Sequence, residues 1–331
     1  MIISKTPLRM SFFGGGSDLA NYFENSKLGY GSVISTAINM YIYITVNRRR
    51  DSKIRVVYFG NELVDSVDEI KHDIIRNALQ FLNIQGGLEI FYCSDISISS
   101  AGLGLSSSSA LTVGVLNALH KFKGEDVSPM QLALEAYHIE RDCIGQACGI
   151  QDQLAVAFGG FREYKFYSNW TITEEKVDCD EKYLNELKSK LMLFYMGDTE
   201  GHRDSGKILK EQEKANPENN DNLNKLVLSV ARNYGYLKDG KVDMWGEEFD
   251  QAWNLKKHLS SKISNPQIDA LYQLAKDNGA LGGKVLGAGG GGFMLLFVPL
   301  KKQENMIHAL KDCEYVEFKF EDKGSHIIYT D

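Results

Sequence analysis

The sequence predicts an α+β protein of two domains. Its 331 residues suit two cores of roughly 150 residues each. Apolar residues recur at a period of two in some stretches and at three and four in others, the marks of half-buried strands and amphipathic helices. Strand patterns crowd the first half, whereas three helical stretches follow one another in the second. No internal repeat and no low-complexity linker interrupts them. The boundary is placed near 178–185, giving domains of 1–180 and 181–331.

The opening IISKTPLRMSFFGGG reads as short apolar strands that break at three glycines. Over 34–48, Ile38, Met40, Ile42, Ile44 and Val46 share one parity and Tyr41 and Tyr43 the other, so one face of a strand is buried. Between 67 and 82 the pattern changes. Val67, Ile70, Ile74, Ala78, Leu79 and Leu82 recur at three and four, which predicts a helix. LEIFYC (88–93) is the next strand. Residues 97–109, almost wholly Ser, Gly and small apolar residues, lead into an apolar helix over 110–122. Ser128 and Gln131 form a capping box around Pro129 that opens a helix to about Gly145. Strand-like runs continue from 161 to Val177, and KLMLFYMG (190–197) is a buried strand. Helices are expected over 204–215, 223–237 and 243–261, with another introduced by Pro266, while NPENNDN (216–222) reads as a surface loop. A strand, a glycine loop and a strand (281–298), then a helix and two strands, close the chain.

Hydrophobic content of 43% and charged content of 24% are those of a soluble globular chain and exclude disorder, collagen and coiled coil. With 37 Lys+Arg against 44 Asp+Glu, the formal charge is -7. A nucleic-acid partner is therefore not expected, and any bound anion must be held by local donors. Five scattered cysteines (Cys93, Cys143, Cys148, Cys179 and Cys313) offer neither a disulfide framework nor a CxxC metal pair, and fit a reducing cytoplasm. The N-terminus lacks the apolar core of a signal peptide, and no apolar run reaches the ~18 residues that span a membrane. A cytoplasmic protein without a membrane partner is expected.

Three glycine-rich loops compete for a phosphate. GHRDSGK (201–207) has P-loop spacing, but Ile208 follows where a hydroxyl must ligate Mg²⁺. GAGGGG (287–292) satisfies G-x-G-x-x-G, yet the strand FMLLFVP follows it, and not the helix whose N-terminus faces a pyrophosphate. It reads as a tight hairpin needing positive φ or, preferably, as a loop whose Gly289 and Gly290 approach a ligand too closely for a Cβ. SAGLGLSSSSA (100–110) is the best candidate. Gly102 and Gly104 let backbone N–H groups turn inward, and Ser106, Ser107, Ser108 and Ser109 start a helix whose first N–H groups and dipole face an anion. A serine-rich turn with an N-cap is the alternative.

TPLRMSFFGGGSD (6–18), SAGLGLSSSSA (100–110) and KVLGAGGGGF (284–293) resemble, in order and separation, the three motifs of the GHMP kinases. That superfamily is named for galactokinase, homoserine kinase, mevalonate kinase and phosphomevalonate kinase. The helix ending in HIER, with CGIQDQ (148–153), resembles its catalytic stretch. The resemblance covers nearly the whole chain and implies the two-domain GHMP-kinase fold, ATP as phosphoryl donor and Mg²⁺. LRMSFFGGGSDL with GAGGGGF most resembles the D-glycero-D-manno-heptose 7-phosphate kinases. This implies transfer to the anomeric C1 hydroxyl, giving the 1,7-bisphosphate, in nucleotide-activated heptose synthesis for surface polysaccharide. The other readings are a fucose- or galactose-type kinase and a catalytically idle sugar sensor of the same fold. Two residues depart from the motif: Ser100 stands for a usual Pro, and Ser106 for a usual Gly of the ATP loop.

The resemblance also implies roles. Asp152 matches the catalytic aspartate, a general base for the sugar hydroxyl, although an N-cap of the helix at QLAVAF is its other reading. Arg9 matches the basic residue that stabilises that carboxylate and the moving phosphoryl. Ser108 and Glu140 match the Mg²⁺ ligands, hard oxygens completed by ATP phosphates. Glu140 also reads as a solvated helix residue. Asp18 is expected on sugar hydroxyls. Gly15 and Gly16, where sugar kinases of the family often carry Glu and His, are expected to leave room for a bulkier substrate. His202 and Arg203, read from their place before a helix start, are candidates for the substrate's own phosphate, with Lys207 one turn on. An exposed basic helix entrance is the alternative there. The expected partners are ATP and a sugar phosphate, with a homodimer left open.

Overall fold

Cover on both faces turns the opening apolar run into one strand where several short ones were expected. In β1 (Ile2–Phe13), every residue from Thr6 to Phe13 is buried. The structure is a computed structural model that describes residues 1–96, 104–197, 205–215 and 220–331. After the glycine turn and the short helix α1 (Ala20–Phe23) comes β2 (Tyr30–Arg48), with the expected parity: Ile38 to Val46 alternate buried against half-buried Tyr41 and Tyr43. Its length serves several partners. One edge pairs with β1, and the other carries later strands in succession.

β3 (Ile54–Val57) and β4 (Asn61–Val64) form a hairpin that the sequence reading passed over. The helix expected over 67–82 is shorter. A 3₁₀ turn at Val67–Glu69 ends where Ile70 takes extended backbone, and α2 (Asp73–Phe81) follows. β5 (Leu88–Ser94) then pairs with β2 and β3. α3 (Ser107–Lys123) is buried along most of its length. A Cβ at Gly114 would sit 2.9 Å from Thr6 Oγ1, so glycine lets this helix press onto β1. α4 (Pro129–His138) is capped by Ser128, whose Oγ accepts from Gln131 N at 3.1 Å. The Gln131 side chain donates to Glu135 and does not return to the cap. A π-helical turn, Ile139–Cys143, prolongs α4, followed by α5 (Gln151–Phe158), β6 (Phe161–Tyr167) and β7 (Ile172–Lys176).

α6 (Glu181–Lys190) has no counterpart in the sequence reading, because Leu187 is its only buried residue and the apolar pattern is weak. β8 (Leu191–Tyr195) precedes four helices: α7 (Ser205–Ala215), α8 (Asn220–Lys238), α9 (Met244–Lys257) and α10 (Pro266–Asp277). Residues 220–222, expected in a loop, form the first turn of α8, and 216–219 lie outside the described residues. β9 (Gly282–Val285), β10 (Phe293–Phe297), α11 (Gln303–Ala309), β11 (Glu314–Val316), β12 (Phe320–Glu321) and β13 (His326–Thr330) complete the chain.

Among the described residues, one sheet has nine strands, with the path β13-β1-β2-β5-β3-β4 and β6, β7 and β12 joined through β2. The other has four, in the order β11-β8-β10-β9. Because β12 and β13 return to the first sheet, a cut at residue 180 parts residues 320–330 from the strands they pair with. Aromatic side chains join the two halves. Phe13 of β1 stacks on Phe249 of α9 at 4.7 Å between ring centroids and meets Trp245 edge-on at 5.1 Å. Such pairs add about 0.5–1.5 kcal/mol each beyond their buried area. This joint holds the end of β1 against α9, on one side of the cleft described next.

Candidate active site

A cleft of about 610 Å³ opens where the end of β1, the N-terminus of α3, the turn before α5 and the loop after β9 meet. Arg9, Asp18, Gly104, Glu140 and Asp152 line it, as do Gly15, Gly16 and the four serines 106–109. These residues lie up to 143 positions apart in the chain, and the fold brings them to one surface.

At the centre is an ion pair. Arg9, 2% exposed, donates from Nε and Nη2 to Asp152 Oδ1 at 2.8 and 2.6 Å, and from Nη1 to the Gly104 carbonyl at 2.8 Å. One guanidinium therefore ties β1, the glycine loop and α5 together. Asp152 lies inside the first turn of α5 and caps nothing, since the N-cap is Ile150. The N-cap reading is thus corrected. Both Arg9 bonds fall on one oxygen, so Asp152 Oδ2 accepts no hydrogen bond among the described residues.

Asp18 lies deeper, at 4% exposure. Its Oδ1 accepts from Gly16 N and Gln151 Nε2, both at 3.0 Å, and Gln151 in turn accepts from Ser11 Oγ at 2.9 Å. A Cβ on Gly149 would stand 1.9 Å from Asp18 Oδ2, so glycine is required there by contact. Burial, with the Asp152 charge adding to it, raises the Asp18 carboxyl to about 6.

Glu140, on the π-helical turn, is not the solvated helix residue of its plainer reading, for it is 2% exposed. Its Oε2 accepts from Ser109 Oγ at 3.1 Å and Gln153 Nε2 at 2.9 Å, while Oε1 is buried with no partner among the described residues. Burial lifts this carboxyl to about 7, with the Asp152 charge acting in the same sense. Ser109 is the serine on Glu140, whereas Ser108 is exposed along the cleft.

Other expectations meet a different packing. Gly289 and Gly290 do not line the cleft, as Gly287 and Ala288 do. A Cβ on Gly289 would come within 2.7 Å of the Ile263 carbonyl, and Gly290 N donates to that carbonyl at 2.8 Å. Close approach by protein backbone, with positive φ at both, accounts for these glycines. Gly16 lines the cleft beside Gln212 of α7, whose Nε2 would lie 2.3 Å from a Cβ there. Gly15 meets nothing closer than 3.7 Å. Gly102, His202 and Arg203 lie outside the described residues.

Residues 70–160 match the GHMP kinases N terminal domain and 234–316 the GHMP kinases C terminal domain. The chain is 31% identical to the D-glycero-alpha-D-manno-heptose 7-phosphate kinase of Campylobacter jejuni, over 98% of this chain and 97% of that protein. It is a GHMP kinase. The galactokinase of Pyrococcus furiosus is 24% identical over 99% of this chain and 97% of its own length. A solved D-glycero-D-manno-heptose 1-phosphate kinase from Bacteroides thetaiotaomicron shares the fold across the whole of both chains, at a TM-score of 0.80 and 24% identity. The chain is thus an ATP-dependent sugar kinase, and among its described residues no helix is long and apolar enough to cross a membrane.

In this kinase, the departure at Ser106 has a backbone cost. Ser106 sits at φ 63 and ψ 34, the left-handed region where glycine is at ease, and caps α3 without a side-chain bond. Its Oγ is buried without a partner among the described residues. A non-glycine residue in that region costs about 1–2 kcal/mol. Ser106→Gly should therefore stabilise the nucleotide-free kinase by about 0.5–1 kcal/mol, read as a higher urea midpoint at unchanged slope. A lower midpoint would mean that the hydroxyl holds a partner worth more than the strain.

Several residues of the kinase's cleft escaped the sequence reading. Gln151 and Gln153 flank Asp152 and orient Asp18 and Glu140, and both stood in the quoted CGIQDQ without a role. Lys284 opens the third motif. It is 5% exposed and lines the cleft, with Nζ donating to the Phe12 carbonyl at 2.9 Å. Lys256 of α9, also in the wall, donates to Val285 and Gly287 carbonyls at 3.2 and 2.6 Å. No local pattern marks Lys256, which reads as one more basic residue near a helix end.

Proposed function

We propose that this kinase transfers the γ-phosphoryl group of ATP to the anomeric C1 hydroxyl of D-glycero-D-manno-heptose 7-phosphate, giving the 1,7-bisphosphate. The observation that carries the reaction is the Arg9–Asp152 pair at the centre of the cleft, with Asp152 Oδ2 left open. The choice of sugar rests on the full-length likeness to a relative named for that activity. Asp18 and Gln151 hold the acceptor's hydroxyls, and the N-terminus of α3 with Gly104 and serines 106–109 holds the nucleotide phosphates.

In the reaction, Asp152 Oδ2 takes the C1 hydroxyl proton as the sugar oxygen attacks the γ-phosphorus. The bond from that phosphorus to the bridging oxygen breaks, and ADP leaves with the electron pair. Arg9 keeps Asp152 oriented and lends positive charge to the transferring group.

Glu140 and Ser108 are the oxygen donors assigned to Mg²⁺. The unpartnered Oε1 of Glu140, buried beside the serines, suits a hard cation. No group of three or more His, Cys, Asp or Glu among the described residues could hold a metal alone, so phosphate oxygens of ATP would complete the shell. When bound, the ion neutralises charge on the β- and γ-phosphates. Glu140 must be ionised to ligate it, and its carboxyl titrates at about 7. The proton competes with the metal below that pH. Apparent Mg²⁺ affinity, corrected for the titration of ATP itself, should fall about tenfold per pH unit below 7 and level off above it. Equal Mg²⁺ dependence at pH 6 and 8 would remove Glu140 from the shell.

The reading is tested by ATP consumption over a panel of sugars and sugar phosphates, with the product's position read by phosphorus NMR. Two or three charge-assisted bonds to a remote phosphate, each worth about 1.5–3 kcal/mol, should favour heptose 7-phosphate over heptose by about 10³ or more in kcat/KM. Equal rates on the two would replace the proposal with a neutral-sugar kinase.

A further inference from the structure

Lys284 is a buried amine whose chemistry the reaction above does not use. It reaches the cleft from β9 through the space behind Gly15, and Lys256 reaches the same wall from α9. An ammonium has three donors, and the Phe12 carbonyl takes one of those on Lys284. Lys284 makes no ion pair among the described residues. The charges that act on it are Lys256 on α9, Arg9 on β1 and Asp18 in the turn after β1. Arg9 is matched by Asp152, and Asp18 is already bonded to Gly16 and Gln151. Lys284 thus keeps two N–H donors unused among the described residues at the cleft wall, in a chain whose overall charge is -7. Because long-range attraction cannot gather an anion here, fixed local donors must.

The corner also lies on a definite side. The ATP-loop residues stand on α3 and the loop before it, while the lysines come from the half of the molecule that bears β9 and α9, next to Gly15, Gly287 and Ala288. We propose that Lys284, with Lys256 beside it, is the anion subsite of the cleft and binds the phosphate that the sugar acceptor carries away from its reacting hydroxyl. This deepens the preceding reading and rests on it for the identity of the sugar.

Lys284 also has a structural task. β1 shifts register against β2 between Ser11 and Phe13, and the lysine satisfies the Phe12 carbonyl within that irregularity. A test must separate the two tasks. Lys284→Gln keeps an N–H donor near Phe12 and removes the amine that can be protonated. Lys256→Met is a second variant, should the first unfold, and melting curves report on both.

Inorganic phosphate is titrated into ADP-loaded kinase at pH 8, in buffers of different ionisation enthalpy. Burial, then the charges of Lys256 and Arg9, pull the Lys284 ammonium well below its usual range. An arriving dianion favours the protonated amine, so binding should be accompanied by proton uptake. Lys284→Gln should weaken phosphate binding by about 10- to 100-fold and abolish the uptake. It should lower kcat/KM for heptose 7-phosphate to the same extent, and leave KM for ATP and the slow turnover of unphosphorylated heptose unchanged.

An equal fall for both sugars would reduce Lys284 to a strut. A raised KM for ATP with an unchanged one for the sugar phosphate would assign the anion to the nucleotide and overturn the proposal. If phosphate binding and proton uptake are lost in the variant but the unmodified kinase turns over no sugar phosphate, the anion subsite stands and the heptose 7-phosphate reading fails.

Discussion

Asp152→Asn is expected to lower kcat by about 10²–10⁴, the range for loss of a general base, with the affinity for ATP little changed. The geometry makes this substitution clean. Arg9 bonds only Oδ1, so an amide oxygen there can still accept from the guanidinium and hold the side chain in place. The Oδ2 position becomes an amide NH₂ group, which donates hydrogen bonds and cannot take a proton. Single-turnover rates with saturating ATP and acceptor would isolate the chemical step. Near-normal turnover would place deprotonation of the sugar elsewhere and leave Asp152 as an electrostatic partner of Arg9.

Arg9→Met should damage both fold and reaction. The Arg9 side chain is 3% exposed and that of Asp152 28%, so removing the guanidinium strands the Gly104 carbonyl and a mostly buried carboxylate. Breaking a buried pair from one side costs about 3–5 kcal/mol, and the partial exposure of Asp152 sets the lower end here. Loss of a positive donor on the transferring group should lower kcat by a further factor of about 10²–10³. Urea unfolding and kcat measured on the folded fraction separate the two. A less stable variant with unchanged kcat would make Arg9 a strut between β1 and the ATP loop, with no part in phosphoryl transfer.

Much of the active site was legible because its residues sit in short motifs whose local spacing reflects local chemistry. Gly104 and Ser106 precede α3, which the next three serines begin, and Asp152 falls in a short stretch that opens α5. Strand parity in β2 and the Ser128 cap were legible for the same reason, since both depend on neighbours a few residues away. Where the reading failed, the deciding contact was distant. Gly289 looked like a ligand's neighbour, but its Cβ would strike the Ile263 carbonyl. α6 escaped notice because a mostly exposed helix leaves little apolar period to read.

The sequence by itself thus determined the α+β class, most elements and the family, and singled out both members of the ion pair at the centre of the cleft. Those follow from spacing, which a chain carries wherever it folds. Only the tertiary structure decided the state of these groups. It brought Arg9 onto Asp152 across 143 residues, sank Asp18 and Glu140 far enough to raise their carboxyls to about 6 and 7, and buried Lys284 against Phe12 across 272. It also returned β12 and β13 to the first sheet. The physical reason is that desolvation and charge pairing depend on what surrounds a side chain in space, and those neighbours come from parts of the chain that no local pattern connects.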